Sequence, residues 1–342
     1  MTSWYVRSAM SAHRTDRWQR LSLTSEALRG NPLGDPHERP LWVWAPEDEL
    51  RRYPAVYVIQ GMLGTVAAWF NVQPFSESYP DAIERLRPEA VVVLVDAFTA
   101  LGGSQFLDSA AIGRYHTYLC DEIVPFVDER FPTLADPRHR GIQGKSSGGY
   151  GAMITPLLRP DLFGGLATHA GDALFELSYQ PEFAPAARAL RDKYEGSYDA
   201  FWRDFRSGRP AFGDKDDHVL LNTYAMSAAY SPRDDGGVDL PFDIQTGELL
   251  PEVFERWLAW DPVRMARNER NAEALRNLRG VWIDSGSSDE YWLDLGATAF
   301  RRALADVGVA EDVIHFELFS GRHGGTAWRY PLALSWLVDR LA

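Results

Sequence analysis

The sequence predicts an α/β fold in which a mostly parallel central sheet is flanked by helices. Short runs of consecutive apolar residues are typical of strands that are buried on both faces of a sheet, and such runs occupy residues 55–59, 90–95 and 281–283. Segments with helical periodicity lie between and after these runs. Strands that alternate with helices in this way favour a doubly wound sheet.

The two clearest helical segments span residues 113–131 and 293–307. In each of them apolar residues recur at spacings of three and four, so these residues share one face of a helix. Pro125 is expected to kink the first helix near its end, because proline cannot donate a backbone hydrogen bond. Residues 21–24 and 41–44 instead have the pattern of antiparallel edge strands, which makes the predicted sheet mixed.

Composition indicates a folded, water-soluble protein. The chain has 342 residues, of which 45% are apolar and 24% charged, and its formal net charge is −13. This acidity disfavours binding to nucleic acid or to anionic membranes. Cys120 is the only cysteine, which excludes an intramolecular disulfide and a cysteine-based metal cluster. The N-terminus lacks the apolar core of a signal peptide, and no apolar run reaches the roughly 18 residues of a membrane span, so we expect a cytoplasmic location.

We interpret residues 1–342 as one domain that contains an insertion at residues 173–261. Within the insertion the alternation of strands and helices loosens, and aromatic residues are unusually frequent. We interpret the insertion as a cap packed over one end of the sheet. Its aromatic residues would then either form the insertion's own core or line a site beneath it.

A glycine-rich turn at residues 141–153, GIQGKSSGGYGAM, carries the strongest chemical signal. Residues 144–148 fit the pattern G-x-S-x-G, the strand-to-helix nucleophile elbow of α/β-hydrolases, with Ser146 at its centre. An elbow strains the backbone of the serine and needs neighbours of little bulk so that strand and helix can approach. The backbone N–H of Ser147 would begin the helix and point at a developing oxyanion.

A nucleophilic serine needs a base and an acid that orients the base, and in this fold the acid and then the histidine follow the serine along the chain. Of the four histidines after Ser146, His323 is the best base, because it lies in a glycine-containing loop just after a strand-like run. His315 lies within that run. His169 precedes every good acid candidate, and His218 lies among aspartates of the insertion, where a surface charge is the simpler interpretation.

The segment at residues 281–290 offers three carboxylates for the acid. We prefer Asp289, which lies in a turn a few residues beyond the strand and can reach the histidine loop. Asp284, within the strand or at its end, is the alternative, and Glu290 is less favoured.

The oxyanion hole of this fold takes its second N–H from the loop after an earlier strand. Residues 60–64, QGMLG, follow the strand at 55–59, and we predict that the backbone N–H of Met62 is the donor. Because a backbone group donates, the side chain of Met62 is replaceable.

These motifs resemble the putative-esterase family of α/β-hydrolases, which includes S-formylglutathione hydrolases, enterochelin-esterase-like proteins, feruloyl esterases and mycolyltransferases. The likeness runs from about residue 41 to the C-terminus. Besides the elbow it includes the helix YHTYLCDEIVPFVDERF at 115–131, the loops at 286–290 and 321–323, and Trp328.

The resemblance implies a serine hydrolase with the triad Ser146, Asp289 and His323 and with no metal or organic cofactor. The predicted activity is that of a carboxylic-ester hydrolase that acts on a small-molecule ester through an acyl-enzyme. Two alternatives remain open: an acyltransferase of the same fold, and a non-catalytic binding protein that retains the elbow.

Two departures from the family pattern concern substrate preference. Gln60 and Gly61 stand where many members have His-Gly, and Lys145 precedes an elbow that reads S-S-G-G in place of the frequent S-M-G-G. We expect Lys145 to pair with a nearby carboxylate, for which Asp172 is a candidate.

Overall fold

The computed structural model describes residues 17–72 and 74–342. Eight of its strands form one central sheet, and two short strands pair as a separate ribbon, β5 with β6. The strands are β1 (Trp18–Thr24), β2 (Glu38–Trp44), β3 (Ala55–Ile59), β4 (Val91–Val95), β5 (Asp108–Ser109), β6 (Gly113–Arg114), β7 (Arg140–Lys145), β8 (Gly165–His169), β9 (Gly280–Gly286) and β10 (Ile314–Phe319).

The central sheet has the order β1-β2-β4-β3-β7-β8-β9-β10. β1 pairs antiparallel with β2, and β2 pairs antiparallel with β4, whereas every later pair is parallel. The predicted mostly parallel sheet with antiparallel strands at one edge is therefore confirmed. The carboxyl ends of the parallel strands meet along one edge of the sheet, where ligand sites of open α/β sheets form.

Helices cover both faces of the sheet. In β3 the side chains alternate, so that Tyr57 and Ile59 belong to one apolar core while Val56 and Val58 belong to the other. The helices are α1 (Tyr79–Leu86), α2 (with the parts Tyr115–Thr117, Tyr118–Ile123 and Val124–Arg130), α3 (Ser147–Leu158), α4 (Phe175–Ser178), α5 (Phe183–Tyr194), α6 (Tyr198–Phe205), α7 (Asp217–Tyr230), α8 (Pro251–Leu258), α9 (Pro262–Arg267), α10 (Glu269–Arg276), α11 (Leu293–Asp306) and α12 (Arg329–Leu341).

The two helices predicted from periodicity correspond to α2 and α11. The middle part of α2, Tyr118–Ile123, is π-helical and ends directly before the part that contains Pro125. Proline removes a hydrogen bond from the helical ladder, and a π-helical stretch is one way in which a helix accommodates such an irregularity. The irregularity expected near Pro125 therefore takes this form.

Between β8 and β9 the chain forms the helices α4 to α10, joined by irregular segments of which the longest spans residues 231–250. Many aromatic side chains of this region are buried against one another: Trp257 contacts both Tyr179 and Phe183, and Tyr230 contacts Trp257. Most of the aromatic residues thus form the region's own core. The boundaries of the predicted insertion and its action as a cap stay predictions.

Among residues 17–72 and 74–342, no helix combines the length and apolarity needed to cross a membrane. The expectation of a missing signal peptide concerned the N-terminus, where residues 1–16 lie outside the described residues.

Candidate active site

The turn between β7 and α3 has the geometry of a nucleophile elbow. β7 ends at Lys145 and α3 begins at Ser147, which leaves Ser146 between them with φ 55° and ψ −126°. A positive φ is uncommon for any residue other than glycine and strains the backbone. The strained turn sets the Ser146 side chain at the N-terminal end of the helix.

Close backbone contacts explain the glycines on either side of this serine. A Cβ atom on Gly144 would lie 2.3 Å from the carbonyl oxygen of Gly148, and a Cβ atom on Gly148 would lie 2.7 Å from the carbonyl oxygen of Ile59. Both distances are too short for non-bonded atoms. β7, α3 and the end of β3 can approach this closely because the two positions carry no side chain.

Three residues from distant parts of the chain make a continuous chain of hydrogen bonds. Nε2 of His323 lies 3.2 Å from Oγ of Ser146, and Nδ1 of the same ring lies 2.8 Å from Oδ2 of Asp289. The Asp289 side chain is fully buried, whereas that of His323 is 15% exposed. The structure thus brings together the three side chains that the sequence predicted, with the imidazole between the hydroxyl and the carboxylate.

The loops that carry the acid and the histidine are tied to each other. β9 and β10 are parallel neighbours, so both loops leave the same edge of the sheet. The backbone N–H of Ser288 donates to the carbonyl of Gly321 at 2.9 Å, and the N–H of His323 donates to the carboxylate of Glu290 at 2.9 Å. Glu290, the less favoured acid candidate, therefore holds the histidine loop through its backbone.

The loop after β3 lies directly beside the serine. A Cβ atom on Gly61 would come within 2.8 Å of the Lys145 carbonyl oxygen and 3.4 Å of Cβ of Ser146, so the loop could not pass this close with a side chain there. Met62 follows immediately. The N–H of Ser147 belongs to the first residue of α3, where amides have no acceptor within the helix. Both predicted oxyanion donors therefore lie on segments that border Ser146.

Gln60 is buried at the start of this loop. Its side-chain nitrogen and oxygen have no hydrogen-bond partner among the described residues, and the residue lines the cavity over Ser146. Unsatisfied polar atoms of this kind are costly unless water or a ligand reaches them. Gln60 is therefore a candidate for substrate contact.

Asp172, which follows β8, is a second carboxylate beside the nucleophile. Its Oδ1 lies 3.4 Å from Oγ of Ser146, while its Oδ2 accepts bonds from Ser147 Oγ at 3.0 Å and from the Tyr179 hydroxyl at 2.8 Å. Burial raises the pKa of Asp172, although the hydrogen bonds that it accepts oppose the shift.

The expected ion pair between Lys145 and Asp172 is not formed. Among the ion pairs of the described residues, Lys145 has none within 4.0 Å, and the Asp172 carboxylate is bonded by hydroxyl and amide groups. Burial lowers the pKa of Lys145, which the charges of Asp289 and Asp172 oppose from a greater distance. Lys145 lines the cavity beside the serine.

The alternative acid, Asp284, belongs to a different cluster. Its Oδ1 lies 2.8 Å from Nδ1 of His169, and its Oδ2 accepts bonds from Nε1 of Trp282 at 2.6 Å and from Nε of Arg329 at 2.8 Å. Although burial by itself would raise the pKa of Asp284, these partners lower it below the ordinary value. Asp284 is therefore not in contact with His323.

A cavity of about 580 Å³ opens above Ser146. Its walls come from the loop after β3, the segment around Trp69 and Tyr79, the histidine loop, and the helices between β8 and β9. The last group contributes Ser178, Tyr179, His218, Leu221 and Asn222. One aromatic residue of the predicted insertion, Tyr179, thus lines the site as well as packing in the insertion's core.

Sequence reasoning missed His218. The residue lines the cavity, and its ring stacks on Tyr291, whose ring in turn meets the His323 ring edge-on at 5.0 Å. Burial lowers the pKa of His218, and the nearby His323 contributes in the same direction. The neighbouring Asp217, whose side chain is buried, forms an ion pair with Arg209 instead. His218 lies three residues before Leu221, which also lines the cavity, so the two side chains share one face of the helix. This spacing is the signal that could have indicated the position of His218.

The fold and the site define an α/β-hydrolase-fold protein with a serine, a histidine and an aspartate in hydrogen-bond contact at the carboxyl ends of its parallel strands. The model of the esterase family, described as "Putative esterase", matches residues 36–335. The chain belongs to this family, as the resemblance predicted.

Solved structures of similar fold include a ferulic acid esterase and an S-formylglutathione hydrolase from Agrobacterium tumefaciens. The first is 19% identical, with a TM-score of 0.58, over 95% of this chain and 98% of that one. The second is 16% identical, with a TM-score of 0.56, over 95% of each chain. At these identities the likeness shows the fold.

Among curated proteins, the endo-1,4-beta-xylanase/feruloyl esterase of Xylanibacter ruminicola is 28% identical over 156 residues. The match covers 43% of this chain and 20% of that protein. The 156 matched residues therefore make up only a small part of that longer relative.

Proposed function

We propose that the protein is a serine-dependent carboxylic-ester hydrolase that works through an acyl-enzyme. The observation that carries the proposal is the chain of contacts from Asp289 through His323 to Ser146 at the floor of a cavity. Membership of the esterase family supports ester hydrolysis as the reaction.

In the first half-reaction, the Ser146 hydroxyl attacks the ester carbonyl while Nε2 of His323 takes its proton. Asp289 accepts the hydrogen bond from Nδ1–H and stabilises the resulting imidazolium. The N–H groups of Met62 and Ser147 donate to the oxyanion of the tetrahedral intermediate. The imidazolium then gives its proton to the departing alkoxide, so that an alcohol leaves and the acyl group stays on Ser146.

In the second half-reaction, a water molecule takes the place of the alcohol. His323 accepts a proton from the water as the water attacks the acyl-enzyme, and it returns that proton to Oγ of Ser146 as the carboxylic acid departs. The partly exposed ring of His323 lets water reach Nε2 from the cavity.

The substrate is a small-molecule ester. A cavity of about 580 Å³ lies within the size range of small-ligand sites. Because the helices between β8 and β9 contribute part of its wall, we assign them the role of a cap that shapes the acyl or alcohol subsite.

A fluorophosphonate probe together with a panel of p-nitrophenyl esters tests the proposal. We expect covalent labelling and ester turnover in the wild type, and loss of both in Ser146→Ala, with a fall in kcat/KM of at least about 10³-fold. Ser207→Ala, at an exposed serine, serves as the matched control. Labelling that survives in Ser146→Ala would contradict the assignment. Transfer of the acyl group to an added alcohol in preference to water would identify an acyltransferase instead.

A further inference from the structure

Asp172 places a buried carboxylate next to the atom that reacts. Its side chain lines the cavity although the residue is only 6% exposed, and Oδ1 lies 3.4 Å from Oγ of Ser146. In the proposed mechanism the relay from Asp289 through His323 to Ser146 is complete without Asp172. The role of Asp172 therefore calls for a separate explanation.

A network of buried groups fixes the orientation of this carboxylate. Oδ2 of Asp172 accepts from the Tyr179 hydroxyl at 2.8 Å, from Ser147 Oγ at 3.0 Å and from Gln105 Nε2 at 3.3 Å. Gln105 is itself held by the Tyr230 hydroxyl at 2.9 Å. Since Oδ2 accepts from three donors, Oδ1 is the oxygen left for a ligand, and within the described residues its only hydrogen-bond neighbour is Oγ of Ser146 at 3.4 Å.

No cationic side chain of the described residues lies within ion-pair distance of this carboxylate, and Lys145 and His323 act on it only from farther away. Among the described residues Asp172 is in no ion pair, and burial raises its pKa. A negative charge this close to the serine would repel the oxyanion that forms during acyl transfer. A cationic group on the substrate would offset this repulsion and favour the ionised form of the carboxyl group.

We propose that Oδ1 of Asp172 binds a protonated amino group on the carbon atom next to the scissile carbonyl, so that the acyl donors are esters of α-amino acids. This inference rests on the proposed ester hydrolysis. When the carbonyl carbon is bonded to Oγ of Ser146, a nitrogen on the α-carbon lies three bonds away, at roughly 3 Å from Oγ. When the substituent points to the Asp172 side of Oγ, an oxygen at 3.4 Å from Oγ comes within hydrogen-bond reach of that nitrogen.

The test compares two p-nitrophenyl esters that have nearly the same shape. The alanine ester carries an ammonium group where the 2-methylpropanoate ester carries a methyl group, at a pH that keeps the amine protonated. We expect the ratio of kcat/KM for the alanine ester to that for the 2-methylpropanoate ester to fall about 30-fold in Asp172→Asn, since removing one member of a buried charge pair has an effect of this size. Forming the ratio within each protein cancels the intrinsic reactivity of the esters.

A change in this ratio of less than about twofold would overturn the inference. So would an equal change with the lactate ester, because the site would then recognise a neutral hydrogen-bond donor. If Asp172→Asn does not fold, the wild type alone decides: its preference for the alanine ester, after correction for hydroxide-catalysed rates, should exceed about tenfold.

Failure of the proposed function gives a different result. If the wild type hydrolyses the 2-methylpropanoate ester, Ser146→Ala does not, and the alanine ester gains no advantage, then the hydrolase assignment stands and the amino-acid assignment falls. If the wild type hydrolyses none of the three esters and the fluorophosphonate probe does not label it, both assignments fall.

Discussion

Two histidine–carboxylate pairs lie at the carboxyl ends of neighbouring strands, and they differ in what surrounds them. In each pair Nδ1 of the histidine lies 2.8 Å from an aspartate oxygen. In the pair of His169 and Asp284 both side chains are 1% exposed. In the pair of His323 and Asp289 the imidazole is 15% exposed and lines the cavity.

The two histidines also differ in the partner of their other ring nitrogen, Nε2. Nε2 of His169 lies 3.0 Å from the side-chain nitrogen of Gln143, whose other contact is the Tyr330 carbonyl, so Nε2 is an acceptor that is already occupied. Nε2 of His323 faces the hydroxyl of Ser146. A histidine–aspartate pair can thus serve the structure or serve a reaction, and the choice depends on whether Nε2 meets a nucleophile that substrate can reach.

The largest expected effect is the loss of activity on replacing His323, and the same replacement at His169 serves for comparison. His323→Gln should lower kcat/KM by about 10⁴- to 10⁶-fold, because the proposed base is lost while the side chain keeps its approximate size. The reaction is followed with a p-nitrophenyl ester. Thermal unfolding should change little, since the ring lies at the edge of the cavity.

His169→Gln is the matched control for His323→Gln. It should lower Tm clearly, because it leaves a buried carboxylate with one donor fewer, and it should reduce activity far less than His323→Gln does. Equal losses of activity in the two variants would mean that the proposed division between a reactive and a structural pair is wrong.

Exchanging each aspartate for asparagine sharpens the comparison. Asp289→Asn should lower kcat by about 10⁴-fold, since an amide cannot stabilise the imidazolium and favours the wrong tautomer of His323. Asp284→Asn should instead lower the free energy of unfolding by about 3 kcal/mol, because Arg329 loses its buried partner and keeps only Glu317. Steady-state kinetics and chemical denaturation measure the two effects. A stability loss in Asp289→Asn as large as that in Asp284→Asn would contradict the contrast.

Much of the fold could be predicted because burial leaves a periodic signal. β3 has the predicted bounds, and α11 ends one residue before the predicted 307. β3 is buried on both faces and α11 along one face, and burial of this kind leaves a periodic pattern of apolar residues. The helices between β8 and β9 were not predicted individually, since their aromatic residues contact one another in three dimensions and follow no single period.

Some residues of the site could likewise be predicted from the sequence and others could not. Ser146, His323 and Asp289 could be singled out because the order of nucleophile, acid and histidine restricts the choice, although their catalytic roles stay predictions. The contact of Asp172 with Ser146 and the position of His218 depend on side-chain directions that no motif records. Lys145 was expected to pair with a nearby carboxylate, with Asp172 as a candidate. Among the described residues no such ion pair forms within 4.0 Å, and hydroxyl groups of Ser147 and Tyr179 bind Oδ2 of Asp172 instead.

The smallest expected effect concerns stability at acidic pH. The contributions of Asp284 and Asp172 to the free energy of unfolding should change with pH in opposite directions. The folded-state pKa of Asp284 is lowered from 3.8, so this carboxyl contributes stability that is complete above pH 3.8 and is lost as the pH falls through the lowered pKa. The difference in free energy of unfolding between the wild type and Asp284→Asn should therefore shrink below pH 3.8, by about 1.4 kcal/mol for each unit by which the pKa is lowered.

Asp172→Asn should show the opposite trend. The folded-state pKa of Asp172 is raised, so the wild type should lose stability relative to Asp172→Asn as the pH rises from 3.8 through that raised value. Urea denaturation of the three proteins at a series of pH values measures both differences, and titration of the other carboxylates cancels. The two stability differences, of the wild type from Asp284→Asn and from Asp172→Asn, should change with pH in opposite directions. If they changed in the same direction, then the surroundings of Asp172 and those of Asp284 beside Arg329 would shift the pKa of a carboxyl group alike. The proposed distinction between the structural pair of His169 and Asp284 and the ligand-binding carboxylate of Asp172 would then be wrong.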